Sequence, residues 1–240
     1  VALNPQTSTS ARLRAGTYQL GASGTVTENS NNFSNMIVVT GTHLVNQAAL
    51  TPVVSAAAKS KTYDGSNAMF GLRLSSMNIL GNDVVSVSGS GFFSDKNVSR
   101  DGVTGALVAN KSYTVSALSL SGADAANYYL PNNSITGTDG QISPRTLAVA
   151  YTGVDKVYNG LSTATVNTTD NRIAGDDLSI ARMANFVNGS GTADKNVAYS
   201  GSTVIAKNIS ITGASLSGSD AGNYDLASAT GATTAKITPA

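Results

Sequence analysis

The sequence predicts a mostly-β fold built from tandem modules, and three observations carry that expectation. Apolar and polar residues alternate with a period of two, as in half-buried strands. Tight-turn pairs such as Asp64-Gly65 and Asn159-Gly160 punctuate the alternation. A set of short motifs recurs in the same order after about 95 residues.

From the amino terminus, residues 1–52 carry a degenerate copy of the second half of a module. Tyr18 precedes Asn32-Phe33 by 14 residues, the spacing that separates Tyr113 from Asn127-Tyr128 and Ile209 from Asn223-Tyr224. Leu50-Thr51-Pro52 stands where Ile142-Ser143-Pro144 stands later. Two full modules occupy the rest of the chain, 53–144 and 145–240. Lys61-Thr62-Tyr63-Asp64-Gly65 returns 95 residues on as Lys156-Val157-Tyr158-Asn159-Gly160, and Gly81-Asn82-Asp83-Val84 returns 94 on as Gly175-Asp176-Asp177-Leu178. Asp95-Lys96-Asn97-Val98 returns unchanged at 194–197. Leu120-Ser121-Gly122-Ala123-Asp124-Ala125-Ala126-Asn127-Tyr128 returns 96 on, with Ser219 for Ala123 and Gly222 for Ala126, and Ile237-Thr238-Pro239 answers Ile142-Ser143-Pro144. Five ordered matches whose offsets drift by a few residues describe homologous modules with loop insertions.

Within a module, Tyr113, Val115 and Ala117 alternate with Thr114 and Ser116, after which the apolar phase slips to Leu118 and Leu120, as a β-bulge requires. Val85 and Val87, Leu147 to Tyr151, and Ile209 and Ile211 alternate likewise. Helix signals are weak; the best is Asp124 or Asp220 placed to N-cap one turn before Asn-Tyr. Each module can bury a small core, and the Pro-marked junctions favour a semi-rigid rod over a flexible string. The chain ends on a repeat boundary, which suggests a piece of something longer.

Composition narrows the function. Charged residues make up only 12% and the formal net charge is +1 with no basic run, so nucleic acid has no electrostatic handle. No stretch approaches eighteen apolar residues, which argues against membrane insertion. Cysteine is absent and His43 is the single histidine, so a nucleophile–base pair of the usual type cannot be assembled, and the chain reads as a non-enzyme.

The remaining polar motifs have a structural and a chemical reading. Tyr63-Asp64-Gly65 faces Tyr158-Asn159-Gly160 in the other module. A metal ligand or catalytic acid would lose its charge in that exchange, whereas a turn loses nothing. Asp95, Asp124, Asp194 and Asp220 are the candidates for calcium, but each cluster offers one carboxylate and Lys96 or Lys195 adds a repelling charge, so Asx-turns and caps are the simpler account and no metal or cofactor is expected. Asp176-Asp177 faces Asn82-Asp83, which again favours a turn. Asn-X-Ser/Thr sequons occur at Asn32, Asn97, Asn110, Asn132, Asn167, Asn188 and Asn208, in a chain rich enough in these residues to form them by accident.

Together, the Tyr-Asp-Gly, Gly-Asn-Asp, Asp-Lys-Asn-Val, Leu-Ser-Gly-Ala-Asp-Ala-Ala-Asn-Tyr and Ile-Ser-Pro motifs of residues 50–240 resemble the YDG repeat, while Ala15-Gly16-Thr17-Tyr18 is more similar to its mostly-β-grasp relative. The resemblance implies β-grasp-like modules arranged end to end in an elongated rod. Such repeats occur in large bacterial exoproteins resembling filamentous haemagglutinins and high-molecular-weight adhesins of two-partner secretion. The resemblance also implies a secreted or cell-surface location, neighbouring repeats and an outer-membrane secretion partner, and no catalytic residues. The modules would then be stalk or spacer units projecting a binding domain. The alternative is that they bind a host glycan or protein receptor themselves, through Phe92, Tyr129 and Asn132, of which the two aromatics have no counterpart in the last module.

Overall fold

The computed structural model describes residues 2–25 and 36–240. Among these the protein is mostly β, with three short 3₁₀ turns and no α-helix. No helix is long and apolar enough to cross a membrane. The sequence-predicted pair Asn32-Phe33 lies outside the described residues.

The chain forms two compact units, and they are out of step with the sequence repeats. The first comprises Val1–Ser60, Ala68–Ser94 and Asn110–Gly140; the second comprises Lys61–Asn67, Asp95–Ala109 and Gln141–Ala240. The repeat at 53–144 therefore contributes to both.

In the first unit, the strand Lys111–Ser121 pairs antiparallel with Ser86–Phe93 on one side and with Ile135–Gly140 on the other. Inward-facing Tyr113 and Val115 alternate with exposed Ser112 and Thr114, as the period-two pattern predicts. Phe93, Leu50, Val54 and Tyr128 of the same unit are buried as they are. The part-module supplies a hairpin, Gly16–Thr25 with Met36–Val45, in which His43 is exposed opposite Tyr18.

The second unit repeats this plan. Lys207–Ser217 lies between Ser179–Phe186 and Gly231–Ala235, and Val149–Val154 pairs with Thr165–Asp170. Its core joins Val166, Phe186, Ile209, Ile211, Ala235 and Ile237. Phe186, Ile209 and Ile211 take the places of Phe93, Tyr113 and Val115. Short parallel pairs close each module: Ala48–Ala49 with Tyr128–Tyr129, and Arg145–Leu147 with Tyr224–Leu226.

The phase slip after Ala117 is a bulge. Register jumps from Ser88↔Ser119 to Ser90↔Ser116, so Ala117 and Leu118 together oppose Gly89. Ala117 adopts φ +52°, a left-handed conformation that an L side chain enters at a cost. The second copy has Gly213 at φ +64° at the same point, where register jumps between Ala181 and Met183.

Candidate functional site

The Tyr-Asp-Gly segments are turns built on the side chain at the middle position. The Asp64 carboxylate accepts the Ser66 N–H (2.9 Å) and the Lys61 ammonium (2.7 Å). Asn159 accepts the Leu161 N–H (3.1 Å) and the Lys156 ammonium (3.1 Å) through its carbonyl oxygen. Asp and Asn are interchangeable because the turn uses one oxygen, and only the glycines take positive φ, +80° at Gly65 and +76° at Gly160. Asp95 and Asp194 do the same, accepting the N–H of Asn97 (2.7 Å) and Asn196 (2.9 Å). Asp194 is also clamped by the buried Lys207, whose ammonium donates to its carboxylate (2.6 Å) and to the Asn196 carbonyl (2.8 Å).

The N-cap expectation is corrected by the structure. Asp124 and Asp220 do precede 3₁₀ turns, Ala125–Asn127 and Ala221–Asn223, yet neither side chain caps its turn. Both reach across the module to a backbone N–H instead: Val84 donates to Asp124 (2.9 Å) and Asp177 donates to Asp220 (3.0 Å). A three-residue 3₁₀ turn exposes few orphan amides, whereas Val84 and Asp177 lie in the loops that precede Ser86–Phe93 and Ser179–Phe186, where no strand partner takes their N–H groups.

This bond exposes a second correction. Because Val84 is matched to Asp177, the partner of Asp176 is Asp83 and not Asn82. Asp83 and Asp176 each close a β-turn by donating their N–H to the residue three back, Leu80 (3.2 Å) and Ile173 (3.1 Å). In the first turn the glycine is the first central residue, Gly81 at φ +61°; in the second it is the next, Gly175 at φ +94°. Aligning the glycines therefore displaces the acids by one residue.

Correctly matched, the two modules carry the same polar socket, made of two aspartates, an asparagine and a tyrosine. In the first unit, the Tyr128 hydroxyl donates to Asp83 (2.9 Å) and accepts the Leu80 N–H (2.9 Å). The part-module's loop fills the socket: Ser8 and the Ser10 N–H donate to Asp83 (2.7 and 3.2 Å), Thr9 donates its hydroxyl and N–H to Asp124 (2.5 and 3.1 Å), and the Ala15 N–H donates to Asn127 (2.9 Å). The Ser10 and Ser8 hydrogen bonds hold the Asp83 carboxyl down at about 2, and the Thr9 hydroxyl followed by the Val84 amide lowers that of the fully buried Asp124.

In the second unit, the Tyr224 hydroxyl donates to Asp176 (2.6 Å) and accepts the Ile173 N–H (2.8 Å). What fills this socket is the pair of segments 61–67 and 95–109 from the preceding repeat. The Tyr63 hydroxyl donates to Asp176 (2.9 Å), and the Lys96 ammonium bridges Asp176 (3.1 Å) and Asp220 (3.2 Å) while lying 5.8 Å from the centre of the Tyr63 ring. Tyr63 and Tyr224 meet edge to face at 5.4 Å. Asn223 accepts the Val98 N–H (2.8 Å) and donates to the Asn97 side-chain oxygen Oδ1 (3.1 Å). Burial alone would push the Asp176 carboxyl up, but donation from Tyr224, Tyr63 and Lys96 outweighs it and leaves it below the ordinary value. Burial, then the hydrogen bond to Asp176, pushes the Tyr224 hydroxyl up to about 12. The Tyr63 hydroxyl and the Asp176 carboxylate raise the Lys96 ammonium.

Lys96 stands beside the aspartates of the next repeat: its ammonium neutralises Asp176 and Asp220. The oxygens of Asp124, Asp194 and Asp220 named as calcium candidates hold protein donors instead, and the described residues contain no group of three or more metal-binding side chains. Phe92, Tyr129 and Asn132 are exposed. Phe92 borders a depression with Ser112 and Thr114, Asn132 lines a separate groove of about 360 Å³ with Leu50 and Pro131, and Tyr129 lines neither. The sequon asparagines other than Asn32, which is outside the described residues, are exposed.

A profile of the YDG domain matches residues 46–136 and again residues 143–231. None of the curated proteins matches the chain. Among solved structures, the EC1-3 segment of Drosophila N-cadherin aligns with 86% of this chain and 74% of its own at 10% identity, with a TM-score of 0.21, too weak a likeness to bear on fold or function.

Proposed function

Because the chain belongs to the YDG domain family, we propose that its modules are structural spacer repeats of a secreted or surface-anchored bacterial protein, of the adhesin type exported by two-partner secretion. In this reading, β-grasp-like modules follow one another in a rod and hold a binding domain away from the cell. The role is non-enzymatic, and the modules need no cofactor. One observation carries the reading: the polar residues that recur between modules are spent on gripping the segment of the repeat before. Tyr63, Lys96 and Asn97 are held by Asp176, Asp220 and Asn223. Groups committed to mutual bonds are suited to resisting displacement rather than to turning over a substrate.

Small-angle scattering of the chain, with and without millimolar calcium, tests this. A compact particle of this length has a radius of gyration of about 18 Å. A calcium-independent value well above that supports the spacer; a compact particle overturns it. The exposed aromatics Phe92 and Tyr129 favour the second reading, direct binding of a host glycan or protein receptor. Phe92 and Asn132 border different depressions and Tyr129 neither, which weakens it. Alanine at both positions leaves cell binding unchanged if the modules only space.

A further inference from the structure

The second repeat has its own copy of the segment that fills a socket, and it is turned to solvent. Tyr158 stands where Tyr63 stands, Lys195 where Lys96, Asn196 where Asn97 and Val197 where Val98. Tyr63 is 1% exposed in its socket, whereas Tyr158 is 37% exposed. A Cβ on Gly65 would come within 2.9 Å of Ile173 at the socket wall; one on Gly160 would meet nothing within 4 Å. Lys195 is exposed and has no carboxylate partner among the described residues, and the Val197 N–H has no acceptor among them.

The segment is nevertheless built in the docked shape. The Asp194 turn is fixed by Lys207, the Asn159 turn by Lys156, and Lys156 lies 5.5 Å from the centre of the buried Phe186 ring. The two turns adjoin across an open groove of about 410 Å³ lined by 160–162 and 193–196. A preorganised surface loses little conformational entropy on binding, which is the state in which a lysine and a tyrosine can recognise a carboxylate. Around it lie exposed Val157, Leu161 and Tyr199. Tyr199 replaces Arg100, which in the docked copy reaches Asp225 (2.9 Å).

We propose that the face formed by Tyr158, Lys195, Asn196 and Val197 is a docking surface for the acidic socket of a further YDG module. Lys195 bridges that module's two aspartates, Tyr158 donates to the first of them, and its asparagine accepts the Val197 N–H. Both sockets in this chain are filled from within it, so the partner is a module with an open socket and not the socket of a second copy. The inference rests on the reading of the modules as serial structural units.

The test is the full chain extended by a second copy of residues 145–240, compared with the chain itself. Lys195→Ala, the Asp176→Asn change made in the appended copy, and the two combined form one double-mutant cycle in the extended protein; Lys96→Ala and Asp176→Asn in the original copy form another. Docking gives a non-additive coupling on the order of fivefold in the unfolding equilibrium of the appended module. It also slows exchange of the Val197 amide at least tenfold, while Lys195→Ala leaves the unextended chain unchanged. Additivity in the Lys195 cycle with unchanged Val197 exchange, alongside coupling in the Lys96 cycle, overturns the docking surface and keeps the spacer reading. Additivity in both overturns the socket as the element that joins repeats.

Discussion

Replacing Asp176 with asparagine isolates the socket, since it keeps the volume and removes the charge. The Asp176 side chain is 4% exposed and accepts from Tyr63, Tyr224 and Lys96. An asparagine retains one acceptor oxygen; its amide must then face a lysine ammonium or a tyrosine hydroxyl already committed elsewhere. A buried hydrogen bond to a charged group contributes about 1.5–3 kcal/mol; the substitution weakens three such bonds and the remaining oxygen recovers part of the total, so the expected cost is about 2–4 kcal/mol. For a unit of this size a urea m-value of about 1.5 kcal/mol/M turns this into a midpoint lowered by about 1–3 M. The chain has 9 tyrosines and no tryptophan, so tyrosine fluorescence reports the transition, with calorimetry to separate the two units. The control is Asp225→Asn, which breaks only the exposed pair with Arg100 and costs less than about 0.5 kcal/mol. A midpoint moved no further by Asp176→Asn than by the control, at equal m, refutes the reasoning.

Gly213→Ala forces the left-handed bulge position onto an L side chain that has only the Met183 methyl nearby (3.7 Å), so the cost, about 1–2 kcal/mol in a urea titration, is backbone strain; Ala117→Gly gains up to about 1 kcal/mol at the equivalent point. The lowered Asp83 pKa contributes stability that is complete above the ordinary carboxylate range and is lost as pH falls from about 4 to about 2, and Asp83→Asn flattens that limb of a thermal-denaturation profile. The raised Tyr224 pKa acts oppositely: its contribution is intact below pH 10 and lost by about 12, and Tyr224→Phe makes shallower an alkaline limb to which the raised Tyr63, Tyr113 and Tyr128 also contribute. Asp64→Asn costs less than about 1 kcal/mol by the same assays, because Asn159 already performs the turn with one oxygen and only the Lys61 ion pair is lost.

What the sequence displayed and what it hid divide along a physical line. The period-two runs, the bulge after Ala117 and the Asx-turns at Asp64, Asn159, Asp95 and Asp194 were legible, because each is decided by neighbours within a few residues. The socket was not, because its parts come from segments some 40 to 125 residues apart in the chain, as with Asp176 and Tyr224 or Val98 and Asn223. Turn chemistry actively concealed it. A glycine can serve either central position of a β-turn, so aligning Gly81 with Gly175 matched Asn82 to Asp176 and made an acid common to both modules look dispensable.

A signal was nevertheless present. Asp124, Asn127 and Tyr128 return unchanged as Asp220, Asn223 and Tyr224, as Asp95, Lys96 and Asn97 do, while polar positions such as Asp64 and Arg100 drift to Asn159 and Tyr199. A turn alone does not demand that an aspartate, an asparagine and a tyrosine be kept together, since Ser, Gly or Asn serve a cap and Phe fills a core. A buried hydrogen-bonded set does, because removing one member leaves its partners desolvated and unpaired. The same logic explains why the two sockets tolerate such different occupants. Ser8, Thr9 and Ser10 satisfy the aspartates with hydroxyls and amides, where Tyr63 and Lys96 satisfy them with a phenol and an ammonium. The socket specifies donors converging on two carboxylates, not a residue type, so successive repeats can diverge in sequence while the junction between them stays chemically closed.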